Sequence, residues 1–178
     1  MNNRSKFIIF FLLFLLFALP VTLYLTRKGQ DIRPRALQGN ANLLLSTGNT
    51  NPDAGEYFDV VATIQMNDSS AKLSGADVTI LYDKAKLMAT NVVPAVQTVN
   101  PSYAFTEAPV VMKEGSFDNT YNFVRVALVV KGATNTLPVG SMMLAKITFK
   151  AKQSGQAVIK YPDDNRYLQI VGYGVGAQ

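Results

Sequence analysis

The stretch GADVTILYD, residues 75–83, alternates Ala76, Val78, Ile80 and Tyr82 against Asp77, Thr79 and Leu81. A period of two with β-branched enrichment predicts a strand with one face on a core. Working outward, FDVVATIQM (58–66) sets Phe58, Val60, Ala62, Ile64 and Met66 against a mixed face holding Asp59, Thr63 and Gln65. YNFVRVALVV (121–130) sets Val124, Val126, Leu128 and Val130 against Tyr121, Phe123, Arg125, Ala127 and Val129. MLAKITFKA (143–151) sets Met143, Ala145, Ile147 and Phe149 against Leu144, Lys146, Thr148 and Lys150. Shorter strands are expected at 43–46, 87–93, 103–106, 157–161 and 168–171. Polar breaks rich in Gly, Asn, Asp and Ser separate them, and no long amphipathic helix intervenes. About nine short strands, each with one apolar face, predict an all-β sandwich of two sheets packed face to face.

The rest of the chain reads differently. Residues 7–26 carry no charge and are mostly Phe, Leu and Ile. As a helix they would span about 30 Å, the thickness of a bilayer's hydrocarbon core. A cleaved secretory signal has a shorter apolar region, about 7–15 residues, ending at a small-x-small site. Thr22-Leu23-Tyr24-Leu25-Thr26 offers no such site, so the segment is expected to be an uncleaved transmembrane anchor, with Pro20 kinking its outer third. A type IV pilin would need a Gly-Phe processing site and an early Glu; Lys6-Phe7 lacks the Gly, and the first acid is Asp31. Residues 1–6 form a short tail. Residues 27–42 (RKGQDIRPRALQGNAN) read as a polar stalk able to span at most about 50 Å. The globular domain is then expected over 43–178.

Charge sharpens the division. The chain carries a net +5. Arg4, Lys6, Arg27, Lys28, Arg33 and Arg35 against Asp31 place all of it in residues 1–35, so the 17 basic and 12 acidic side chains leave eleven of each beyond. A neutral domain lacks the basic stripe that drives nucleic-acid binding. Basic residues flank both ends of the apolar run, and their count leans slightly against export. The domain is nevertheless expected on the extracellular side, for reasons that lie in the domain itself.

Chemistry is limited by what is missing. With no His and no Cys there is no Ser-His-Asp triad, no thiol nucleophile and no zinc site of the usual ligand types. No enzyme activity, cofactor or metal is expected. Asp163-Asp164 in YPDDNR is the densest acid pair, but glycosidases need two carboxylates set across a cleft, and Pro162 and Asn165 mark a turn. Asn67-Asp68-Ser69 matches a glycosylation triplet, a pattern frequent by chance. Tyr82 continues the apolar face and is expected in the core; Asp83 is expected to cap the turn after it.

Several of these stretches are similar to the cohesin domain family. Gly55-Glu56-Tyr57-Phe58-Asp59-Val60 resembles its "G-D-x-F-x-V" strand. Gly75 to Leu87, with Tyr82-Asp83 and Leu87, resembles its strand ending in "Y-D-P-x-x-L". Val124-Arg125-Val126-Ala127-Leu128, residues 144–151, Gly155 and Ala157-Val158-Ile159 resemble its later strands. The likeness covers roughly 43–172. It implies a nine-stranded jelly-roll related in fold to cellulose-binding modules, extracellular and non-catalytic. It also implies a dockerin-like partner, calcium-carrying in that family, held on one flat sheet whose strands here are 75–82 and 123–130. Asp77 falls where the family places an acid used in docking. Position 75 is Gly where well-studied members carry Asn, and position 84 is Lys where Pro is common.

The candidate partner-binding residues are therefore Asp77, Thr79, Tyr121, Phe123 and Arg125. Asp77 and Arg125 admit a plainer role as a cross-strand ion pair, worth a few tenths to about 1 kcal/mol. Tyr121 and Phe123 could instead cover an edge of the core. The expected function is a membrane-anchored surface module that holds a dockerin-like or other extracellular protein. Polysaccharide binding is the alternative, with Tyr161, Tyr167 and Tyr173 as a candidate platform in a chain without Trp; a structural cell-envelope subunit is a third.

Overall fold

The computed structural model describes residues 41–173. The expected tail, transmembrane anchor and nearly all of the stalk, with residues 174–178, lie outside the described residues. Among those described, nine strands form two sheets: β1 (Ala41–Thr47), β2 (Tyr57–Met66), β3 (Lys72–Asp83), β4 (Leu87–Pro94), β5 (Val111–Ser116), β6 (Tyr121–Val129), β7 (Ser141–Ala151), β8 (Ile159–Lys160) and β9 (Leu168–Tyr173). One sheet has the order β1-β2-β7-β4. The other runs β5-β6-β3-β8, with β9 pairing the earlier half of β3, beside which β8 takes Leu81 and Tyr82. Every pairing between these strands is antiparallel. The stalk expected to Asn42 stops sooner, because Ala41 and Asn42 already pair with Met66 and Gln65.

The core lies between the sheets. Phe58, Val60, Ala62, Ile64 and Met66 of β2 face Ala76, Val78, Ile80 and Tyr82 of β3 and Val124, Val126 and Leu128 of β6, as the alternation predicts. Burying each such large side chain contributes about 1.5–3 kcal/mol. Phe149 of β7 touches Phe58 at 5.9 Å and, across to the other sheet, Tyr82 edge-on at 5.1 Å. Burial pushes the Tyr82 hydroxyl above the ordinary phenol value, while hydrogen bonds with Asn122 and the Ala89 backbone partly offset this. Asp83 accepts from the Ala85 and Lys86 amides at 2.9 and 3.3 Å and so caps its turn. Among the described residues no buried side-chain nitrogen or oxygen lacks a hydrogen-bond partner.

Three expectations fail. Residues 103–106 are not a strand: Phe105 makes one isolated parallel bridge with Val96 and plugs the core from a loop. A single buried ring between half-buried Ala104 and Thr106 imitates a short alternation. The strand that replaces it, β5 (VMKEGS), shows no apolar period, because an edge strand exposes most of its side chains and is held by its backbone bonds to β6. The third failure is in β7, where Leu144 is buried and Met143 only half-buried, the reverse of the expected faces. The register with β2 passes from Ala62↔Ala145 to Thr63↔Met143. Leu144 is thus an extra residue, a β-bulge that switches the face of everything before it. Its carbonyl accepts from the Ala95 amide at 2.9 Å, which anchors the bulge to the end of β4.

Candidate functional site

Side-chain parity puts Gly75, Asp77, Thr79, Leu81 and Asp83 of β3 on the face away from the core. The register with β6 sets them beside Val129, Ala127, Arg125, Phe123 and Tyr121 in turn. All five candidate residues therefore share the outer face of the five-stranded sheet. Their roles within it differ.

Arg125 lies directly opposite Thr79, and Asp77 is its diagonal neighbour. From there Arg125 Nε and Nη2 donate to the two carboxylate oxygens of Asp77 at 2.8 and 2.6 Å, a bidentate fork. The hydrogen bond and then the charge of Asp77 raise the Arg125 pKa above its ordinary value. With the Arg125 side chain 45% exposed, the pair contributes only about 0.2–1 kcal/mol to stability. What the fork does is hold a guanidinium fixed at the centre of the face. Thr79 is 3% exposed and lies beneath, so it supports the face without being presented on it.

The aromatic residues are neither core edge nor free surface. Phe123 is half-buried and lies across Gly115 of β5, so close that a Cβ there would come within 2.9 Å of its ring. Tyr121 carries the Lys160 ammonium over its ring, 5.5 Å from the centroid. Tertiary structure adds one ring that no sequence pattern marked, Phe117, and gives Tyr167 of the expected platform a different partner. Phe117, just after β5, and Tyr167, in the 3-10 turn Asn165–Tyr167, come from opposite margins of the sheet and meet edge to face at 5.2 Å. Leu81, on the expected polar side of β3, is only 3% exposed as a result of such covering. It floors a recess of about 250 Å³ walled by Phe117, Tyr121 and Pro162. Hydrophobic spacing along β3 cannot reveal a residue buried by other segments crossing the outer face.

The two departures from the family pattern have local causes. A Cβ at position 75 would stand 3.1 Å from the Leu128 carbonyl oxygen, so a side chain there needs the neighbouring strand to shift. Lys84 donates through Nζ to the Asp118 carbonyl and through its amide to the Thr120 carbonyl, tying the β3–β4 turn to the β5–β6 turn. The tyrosine platform does not form. Tyr161 packs against the core and donates its hydroxyl to the Leu44 carbonyl at 3.1 Å, with burial driving its pKa upward. Tyr167 is turned to Phe117, and Tyr173 stands exposed at the end of β9.

Carboxylates around this face serve turns. Asp118 accepts from the Thr120 and Tyr121 amides, both at 2.7 Å, and the Tyr121 bond foremost lowers its pKa. Asp164 caps the 3-10 turn and forks with Arg166, whose side-chain hydrogen bond lowers it most. Asp68 is lowered by the Ser70 amide, and Asp59 by the Thr148 hydroxyl. A carboxylate with a depressed folded pKa adds stability above its unfolded value, about 3.9, and that stability is lost as pH falls through the folded value. Thermal melts should therefore be flat from neutral pH to about 5 and fall steadily below about 4. In Asp118→Asn, which keeps an acceptor but cannot titrate, the acid decline should be shallower; an unchanged slope would deny Asp118 this part.

Comparison with known proteins places the architecture. The family model of the cohesin domain matches residues 45–165, more than half of the chain. Among solved structures, the second type II cohesin module from an adaptor scaffoldin of Acetivibrio cellulolyticus is 17% identical with a TM-score of 0.51, covering 71% of this chain and 73% of that one. A type II cohesin–X–dockerin complex from the same organism, an N-terminal interface mutant, matches at 16% identity and a TM-score of 0.50, covering 70% of this chain and 78% of that one. At such identities the likeness is one of fold. No curated protein matches the chain. With the two-sheet order and the matched span together, the chain belongs to the cohesin domain family.

Proposed function

We propose that this protein is a non-catalytic receptor that docks a dockerin-like protein on the outer face of β5-β6-β3-β8 and holds it at the cell surface. The observation that carries the reading is the gathering of Asp77, Tyr121, Phe123 and Arg125 on the outer face of one sheet, with the guanidinium held by the Asp77 fork. Arginine and aromatic side chains are the residue types that dominate protein-binding hot spots. Family membership supports the choice of partner, and one similar structure is a cohesin bound to a dockerin. The apolar run at 7–26 is the anchor in this reading, and the polar stretch after it the spacer that lifts the domain from an extracellular membrane surface.

The test is titration calorimetry of the full chain in detergent micelles against each dockerin module encoded in the same genome, with calcium and after chelation. At least one should bind saturably with calcium. Arg125→Ala should weaken that binding tenfold or more, about 1.4 kcal/mol. Gln65→Ala, on the outer face of the other sheet, should leave it unchanged. Binding by none of the dockerins would overturn the assignment.

A further inference from the structure

Lys113 of β5 and Arg125 of β6 are direct register partners. Directly opposed residues of antiparallel strands project to the same face, and like charges so placed destabilise the pair. Asp77 engages Arg125 through Nε and Nη2 and does not reach Lys113. Among the described residues Lys113 makes no ion pair, and its neighbour Glu114 pairs with Val124, whose side chain is in the core, and so points to the other face. The other carboxylates of this side, Asp83, Asp118 and Asp164, are taken by turn amides, and Asp163 stands near Lys160. A cation pair set side by side, with a carboxylate engaging only one of the two, breaks a local rule of sheet design, and such breaks concentrate at functional surfaces.

We infer that the docking face takes a protein segment presenting Asp or Glu carboxylates, which sit between the Lys113 ammonium and the open edge of the Arg125 guanidinium. The inference rests on the docking reading above and names the partner's chemistry. The surroundings suit a protein: Val111 and Ala127 lie on one side of the cations and Phe123 over Gly115 on the other, so apolar side chains flanking an acid would find cover. A polyuronate would share the carboxylates but would also need rings lying flat for its sugars to stack on, whereas Phe117 and Tyr167 meet at 72°.

The test uses the full chain in detergent micelles with hexaglutamate, hexalysine and polygalacturonate as probes, followed by amide chemical shifts. Hexaglutamate should perturb residues of β5, β6 and β3 on the outer face, increasingly at low salt, and hexalysine should not. Lys113→Glu should cut the hexaglutamate affinity at least fivefold while raising the thermal midpoint, because a carboxylate would then oppose Arg125. A purely structural lysine would show the opposite midpoint shift and no loss of affinity. Hexaglutamate shifts spread over the whole domain, or tighter binding of polygalacturonate at these residues, would overturn the inference. If no dockerin binds but hexaglutamate seats on Lys113, the dockerin assignment falls and the acidic partner stands. If a dockerin binds Lys113→Glu as well as the parent, the inference falls and the docking reading stands.

Discussion

Leu144→Asp is expected to leave the domain unfolded, while Met143→Asp, one residue away, is expected to leave it folded. Leu144 has no exposed surface. An ionised carboxylate placed there without a partner costs several kcal/mol, and loss of the buried leucine adds about 2–5 kcal/mol. A domain of this size has only about 5–15 kcal/mol of stability, so the sum removes most or all of it. Met143 lies on the outer face of β7 beside Thr63, where a polar substitution changes stability by about 1 kcal/mol or less. Circular dichroism and urea unfolding of the two variants would decide between them. If Met143→Asp were the damaging change, β7 would run without its bulge, in the regular alternation that its sequence suggests.

Phe149→Ala should lower stability by about 3–5 kcal/mol. The ring is fully buried, tilted against Phe58 in its own sheet and edge-on to Tyr82 in the facing one. It therefore joins the two sheets directly, and its removal leaves a cavity that neither sheet can close without moving the other. Because the chain has no Trp, unfolding is conveniently followed by tyrosine fluorescence, and Tyr82 reports from beside the lesion. The urea midpoint should fall sharply with little change in slope. By contrast Phe117→Ala, at a ring 36% exposed on the outer face, should shift the midpoint only slightly. Equal losses at the two positions would mean that the Phe117–Tyr167 contact supports the fold as strongly as the core does.

These cases show where the chain's own pattern is a sufficient guide. β2, β3 and β6 were legible because each has its face in the core along nearly its whole length, so Phe58 to Met66, Ala76 to Tyr82 and Val124 to Leu128 alternate as written. The grouping of Asp77 with Arg125 and the two aromatic residues was legible for the same reason: parity within two strands, once paired, puts them on one side. Thr79 shows the limit, since parity identifies its face but not that neighbours bury it. Lys113 shows another, because β5 carries no period and its strand became visible only through its pairing with β6.

Already legible in the linear chain are the strand-rich, two-layer class, the inward faces of the long regular strands and the division between a charge-balanced stretch and a basic-flanked apolar one. Each of these depends on spacing between near neighbours or on composition, which a linear chain carries in full. Tertiary structure decided the bulge at Leu144, the edge strand at 111–116, the diagonal fork from Arg125 to Asp77 and the rings of Phe117 and Tyr167 meeting beside Leu81. Those depend on which backbone lies alongside, and with what offset, and one extra residue in one strand is enough to exchange the inside for the outside.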